Sequence, residues 1–170
     1  VSRMPIEKPE DIKGKKLRVQ SSAVFTDYGE VLGAVVTPMA FGEIYTALQL
    51  GAIDAQVQGP INVVKSKHFE VAKYTCENHI NYLLEPLMNY EKFDELSSED
   101  QKAFLDAAHE AAVWQRDNAE KADLKDTEYL KQNGMNYIEA DRDAWREAVA
   151  PVYEKYSKWD DIVKKIQSVQ

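Results

Sequence analysis

The sequence predicts an α/β fold in which a parallel-core sheet is flanked by helices, followed by one long bridging helix and further C-terminal helices. Three observations carry that expectation. Short apolar or β-branched runs alternate with helical patterns through the first half, in the order β-α-β-α-β. Gly14, Gly33 and Gly51 each stand just past a helical run, where a left-handed backbone ends a helix without steric cost. After Tyr90 the pattern turns helical and stays so up to Gly134.

Taken in order, "KPEDIKGKK" reads as a helical turn, with Pro9 at a first helical position. "KLRVQ" reads as a strand with Leu17 and Val19 on one face and Arg18 on the other. "SSAVFTDYGEVLG" is a helix capped by Ser21 or Ser22, and "AVVTP" a strand ended by Pro38. "FGEIYTALQLG" is helical, with Ile44, Ala47 and Leu48 at helical spacing, and "AIDAQVQ" is the next strand. "INVVKSKHFEVAKY" starts as a helix and then turns. "INYLLEPLMNY" is apolar enough for another strand, with Pro86 marking an edge or bulge.

The long helix opens on a capping-box pattern, Ser98 with Gln101. Phe104, Leu105, Ala108, Ala111 and Ala112 form its apolar stripe. "MNYIEA" is a short strand. Trp145, Val149, Val152 and Tyr156 share the face of a last helix that Pro151 should kink. Trp145 with Tyr153, Tyr156 and Trp159 reads as core or inter-lobe packing.

With 170 residues the chain suits one large domain or two small ones. No apolar run approaches the ~20 residues of a membrane span. The net charge of -8 argues against a nucleic-acid partner, which needs clustered Lys and Arg. It leaves room for an anionic small ligand held by one buried Arg. Cys76 is the single cysteine, so an intrachain disulfide and a cysteine-based zinc site are excluded. His68, His79 and His109 are not at metal-ligand spacing, and His79 reads as orienting a loop. Neither a metal nor a cofactor is expected.

In a parallel sheet, ligands bind off the carboxyl ends of the strands. The first strand ends at Arg18, Val19, Gln20 and Ser21, the second at Thr37, Pro38, Met39, Ala40 and Phe41, the third at Gln56, Val57, Gln58 and Gly59. One Arg, several amides, a hydroxyl and an aromatic ring would gather on one edge. That set suits an organic acid, with Arg18 forking a carboxylate and Phe41 covering an apolar face. Glu43, in a first turn, reads as a helix-dipole partner, Asp54 as a brace for local backbone, and Tyr45 as a core phenol. No nucleophile elbow and no phosphate loop is present, and no enzymatic activity is expected.

These residues also resemble a known family. "PEDIKGKKLRV", "LGAVVTPMAFGEIYTALQLGAIDAQ", "HFEVAKY", His79 and "LSSEDQKAFLDAAHEAA" together resemble the substrate-binding proteins of TRAP (tripartite ATP-independent periplasmic) transporters, over nearly the whole chain. The resemblance implies a periplasmic-binding-protein-like lobe of a two-lobed protein that closes on a carboxylate and delivers it to TRAP membrane subunits outside the cytoplasm. The family's ligand-clamping Arg falls on Arg18, its site Asn on Gln58, its aromatic on Phe41, and a frequent ligand-bonding position on Ser21. Gln20 and Met39, beside them, complete the expected site.

The family's Glu-Asn-Pro is here Val57-Gln58-Gly59, with Pro60 one place later, and its Asp-Gly is Asp54-Ala55. A Gln in place of Asn reaches one methylene further toward a ligand. The resemblance further implies a carboxyl-terminal half. Residues 1–83 with 124–170 would form the second lobe, and 84–123 would belong to the first lobe and the inter-lobe helix. C4-dicarboxylates, sugar acids, keto acids and aromatic acids all fit one Arg clamp. A sensor's ligand-binding domain, or a truncated relic that only self-associates through an exposed lobe face as a homodimer, are the competing readings.

Overall fold

The computed structural model describes residues 1–77 and 85–168. Strands β1 (Lys16–Val19), β2 (Val35–Pro38) and β3 (Ala55–Gln56) form a parallel sheet in the order β2-β1-β3. Strands β4 (Tyr74–Glu77) and β5 (Asn136–Glu139) form a second parallel pair. The chain's first residues join the two pieces. Ser2 bridges Ala55 on one side and Tyr74 on the other, antiparallel to both. Its amide donates to the Tyr74 carbonyl at 2.8 Å, and the Gln56 amide donates to the Val1 carbonyl at 2.8 Å. The five parallel strands therefore turn all their carboxyl ends to one edge.

The helices follow the sequence signals closely in this half. Pro9 opens a 3-10 turn, Pro9–Ile12, and Gly14 ends it with φ +73. Helix α1 (Ala23–Val31) follows β1, and Gly33 turns the chain into β2 at φ +73. A 3-10 turn, Phe41–Glu43, leads into α2 (Ile44–Leu50), which Gly51 closes in the left-handed region. Helix α3 (Pro60–Lys65) has its proline in the first turn and is followed by a 3-10 turn, His68–Glu70.

Two apolar clusters cover the sheet's faces. Leu17 and Val19 pack with Ile12, Tyr28, Leu32 and Trp145. On the other side Ile44, Leu48, Ile53, Val63 and Phe69 pack with Leu130 and Met135. Each fully buried Leu or Ile contributes about 1.5–3 kcal/mol of transfer free energy. Arg18 sits between Leu17 and Val19 in sequence and so points away from the first cluster, as strand alternation requires.

Several expectations need correcting. Tyr74–Glu77 forms β4, although the sequence pattern favoured the longer apolar run after it. Its ladder partners are Ser2 and β5, both far away in sequence. The strand expected over residues 80–90 falls partly outside the described residues. Its described part, 85–89, is irregular, and Tyr90 opens α4 (Tyr90–Asp94).

The long helix α5 (Ser98–Gln132) is capped by Ser97, not Ser98. The Ser97 hydroxyl accepts from the Asp100 amide at 3.1 Å, and its own proton goes to the Asp100 carboxylate. Gln101, expected in the box, instead donates to the Phe93 and Leu96 carbonyls at the end of α4.

Pro151 separates two helices rather than kinking one. Val149, at φ -97 and ψ 2, divides α6 (Arg142–Ala148) from α7 (Ala150–Lys155). Trp145 is core, but Tyr153 and Trp159 are exposed. Tyr156 donates to the Asp27 carboxylate at 2.7 Å, with Lys155 on the other oxygen at 2.6 Å, tying the end of α7 to α1. Helix α8 (Asp160–Gln167) completes the described chain.

The two halves of α5 differ in environment. Near its end, Leu130 is buried and Tyr129 meets Phe69 edge-on, with ring centroids 5.8 Å apart. Near its start, Phe104 and Leu105 of the apolar stripe are exposed, as is Trp114 at its middle. Leu130→Ala should therefore destabilise this chain by about 2–5 kcal/mol, and Leu105→Ala by less than about 0.5 kcal/mol. Urea unfolding of the two variants checks the contrast; equal losses would contradict the packing described.

Candidate functional site

Arg18 is the second-last residue of β1, flanked in register by Thr37 of β2 and Gln56 of β3. Parallel pairing puts these three side chains on one face of the sheet. Arg18 is 4% exposed, so its charge is held inside the protein. Its Nε and Nη2 both donate to the Met39 carbonyl, at 3.1 and 2.9 Å. Met39 lies just past β2, where Pro38 ends the strand and leaves a carbonyl turned to the Arg. The bond fixes the plane of the guanidinium at the strand tips.

Below this edge lies a buried polar pair that sequence reasoning missed. Gln56 is 2% and His68 1% exposed. The Gln56 Nε2 lies 2.7 Å from His68 Nδ1. An amide nitrogen only donates, so the ring accepts at Nδ1 and carries its proton on Nε2. The Phe41 ring meets His68 edge-on at 5.8 Å and is itself 43% exposed, which makes it the outer layer.

Lys67, left-handed at φ 54, turns the chain after α3 so that His68 drops beneath the edge. Burial holds the imidazole well below its usual range, at about 4, and the Val1 amino group and Arg18 push the same way. The Gln56 Oε1 is buried and has no hydrogen-bond partner among the described residues, a cost of about 1–3 kcal/mol. Strand-end position was the signal for Gln56; for His68 the sequence carried none beyond its residue type.

The remaining expected residues share the edge by topology. Gln20 follows β1 and is half-buried, and Ser21 beside it is exposed. Gln58, half-buried, precedes Gly59, which caps α3. Hydrogen bonding thus gathers Arg18 with Met39, and ring contact gathers Phe41 with His68. Gln20, Ser21 and Gln58 are brought only to the same side. His79 lies outside the described residues.

The supporting roles divide. Glu43 accepts from the Ala40 amide at 3.3 Å, in the first turn as expected. Asp54 accepts from the Lys16 amide at 2.9 Å and so braces the backbone. Tyr45 is not a core phenol: it is half-buried and donates to the Glu70 carboxylate at 2.8 Å. A water-sized cavity of about 30 Å³ is lined by Ile12, Leu17, Tyr28 and Trp145 and also by Gln56 and Val57; neither Phe41 nor Met39 lines it.

A fixed guanidinium, an exposed aromatic ring and neighbouring amides form an arrangement suited to a carboxylate with a polar, partly apolar body. Residues 1–159 match the family model described as bacterial extracellular solute-binding protein, family 7. The chain belongs to this family, that of the TRAP solute-binding proteins.

Among its relatives is the 2,3-diketo-L-gulonate-binding periplasmic protein YiaO of Escherichia coli (strain K12). It is 37% identical over 177 residues, covering 99% of this chain and 54% of that protein. A TRAP periplasmic solute binding protein from Pseudomonas putida F1, solved with bound D-glucuronate, superposes with a TM-score of 0.87. It is 30% identical and covers 99% of this chain and 56% of its own.

Another, from Sulfitobacter sp. NAS-14.1 with bound β-D-galacturonate, gives a TM-score of 0.80 at 30% identity, covering 96% and 55%. The chain spans about half the length of the curated relatives it matches.

The depressed pKa of His68 has a consequence for stability. The unfolded chain takes up the proton first, so the imidazole's contribution is present above pH 6.5 and is lost as pH falls from 6.5 toward about 4. Relative to His68→Phe, the wild type should lose on the order of 3 kcal/mol across that window. Urea unfolding at several pH values checks this; parallel pH profiles for the two proteins would contradict it.

Proposed function

We propose that this chain is part of an extracytoplasmic solute-binding protein that captures a sugar-acid carboxylate and delivers it to TRAP membrane subunits. The observation that carries this reading is Arg18, buried at a strand tip with its guanidinium plane fixed by the Met39 carbonyl. A buried, oriented guanidinium is suited to forking a carboxylate with two charge-assisted hydrogen bonds. Relatives that bind D-glucuronate, β-D-galacturonate and 2,3-diketo-L-gulonate favour an acid with several hydroxyls or carbonyls. Gln58, Gln20 and Ser21 would meet those groups, and Phe41 would lie against the sugar's apolar face. Met39 contributes through its carbonyl.

The same reading divides the chain between two lobes. Residues 1–83 with 124–170 form one lobe, and 84–123 belong with the other lobe and the helix between them. What supports this is the distribution of apolar surface. Leu130 and Trp145 are buried, whereas Leu87 is 89% exposed and Phe104, Leu105 and Trp114 are exposed as well. Apolar surface on that scale calls for a cover. The relatives, about twice as long, carry the length to supply one. A second copy of this chain could cover the same face, which would make a homodimer.

Isothermal titration of the full-length protein with D-glucuronate, D-galacturonate and 2,3-diketo-L-gulonate tests the ligand reading. At least one acid should bind. Arg18→Ala should weaken it by on the order of 100-fold, and Arg18→Lys by somewhat less, since an ammonium keeps the charge but cannot fork. Binding that survives Arg18→Ala unchanged would overturn the assignment.

A further inference from the structure

We propose that Gln56 and His68 form a positioning pair that sets where Arg18 and Phe41 meet the bound acid, and thereby which sugar acid is preferred. This rests on the ligand reading above. Four contacts form a closed circuit beneath the strand tips. Arg18 donates to the Met39 carbonyl. Two residues on, the Phe41 ring leans on the His68 ring. His68 Nδ1 accepts from Gln56 Nε2 at 2.7 Å. Gln56 stands opposite Arg18 across the β1–β3 ladder.

Every member other than Phe41 and Met39 is at least nine-tenths buried, so the circuit is fixed by packing as well as by hydrogen bonds. Phe41 is the exposed member, and its tilt is set from below by the imidazole. A rotation of His68 would move the ring that lies against the ligand while leaving the guanidinium on its carbonyl. D-glucuronate and D-galacturonate share the carboxylate and differ in the orientation of the C4 hydroxyl, which changes the patch of C–H groups the sugar can lay on an aromatic ring, so the seating of Phe41 relative to Arg18 separates them.

The pair also carries a polar atom that its own bonding does not use. Gln56 Oε1 is buried and without a hydrogen-bond partner among the described residues. The His68 ring is held neutral chiefly by burial, with Arg18 pushing the same way, so it keeps Nδ1 open to the Gln56 amide. Both members of the pair are uncharged, so the pair orients without adding a charge of its own beneath the edge.

The experiment uses full-length protein, D-glucuronate and D-galacturonate, with titration calorimetry and thermal melts in parallel. The wild type and Arg18→Ala come first. If the wild type binds neither of these acids this inference fails; if it binds no 2,3-diketo-L-gulonate either, or if Arg18→Ala binds as well as the wild type, the ligand reading fails with it. Given Arg18-dependent binding, His68→Phe and Gln56→Met each remove the hydrogen bond and should weaken the preferred acid at least tenfold. The double variant matches two apolar groups and should regain thermal stability.

It should not regain the affinity, and its ratio of affinities for the two acids should move toward one. A double variant with wild-type affinity and ratio would overturn the proposal, because the pair would then be plain core. If the single variants do not fold, the double variant alone decides. Nitrogen NMR of His68 in the wild type gives an independent check: Nδ1 should be unprotonated with and without ligand, and a proton on Nδ1 would contradict the circuit.

Discussion

The whole arrangement depends on one short backbone ladder, in which the first residues of the chain lie antiparallel between β3 and β4. Ser2 exchanges both its hydrogen bonds with Tyr74, and Val1 and Gln56 do the same on the other side. Without that ladder there would be a three-stranded and a two-stranded sheet, each with exposed edges. With it, all five parallel strands run through one sheet and their carboxyl ends share one edge. The candidate ligand groups lie at the tips of β1, β2 and β3 on that edge.

On that edge the decisive cost is a buried cation. An interior guanidinium is tolerated when oriented acceptors replace its water. Arg18 has the Met39 carbonyl for this, supplied because Pro38 ends β2 one residue earlier. The same bond that reduces the cost also orients the group toward the strand tips. The polar pair beneath, Gln56 and His68, adds a second unfavourable feature, since one amide oxygen has no partner among the described residues. Buried polar atoms left in this state are concentrated where a fold is doing something besides packing.

Much of this was legible in the sequence because its local signals agree with the global fold. Glycines past helices, prolines in first turns and β-branched strands placed β1, β2, α1, α2 and α3 within a residue or two. Arg18 was legible too, since strand alternation alone sets it opposite Leu17 and Val19.

What was not legible depends on distant partners. Tyr74–Glu77 is a strand because Ser2 and Asn136–Glu139 flank it, and nothing within those four residues announces either. The cap at Ser97 lost to Ser98 in the sequence reading because both serines offer a hydroxyl. Only the helix start shows which one meets the Asp100 amide. His68 was read as lacking metal spacing, which was beside its role. Its burial and its bond to Gln56 arise from the left-handed turn at Lys67, a conformation the residue type does not suggest.

The most direct measurement is a crystal structure of the full-length protein with D-glucuronate bound. The account places the ligand carboxylate within hydrogen-bond distance of the Arg18 guanidinium, with the sugar ring against Phe41 and hydroxyls toward Gln58 or Ser21. A carboxylate held by other residues, with Arg18 engaged by the Met39 carbonyl and remote from the ligand, would contradict it.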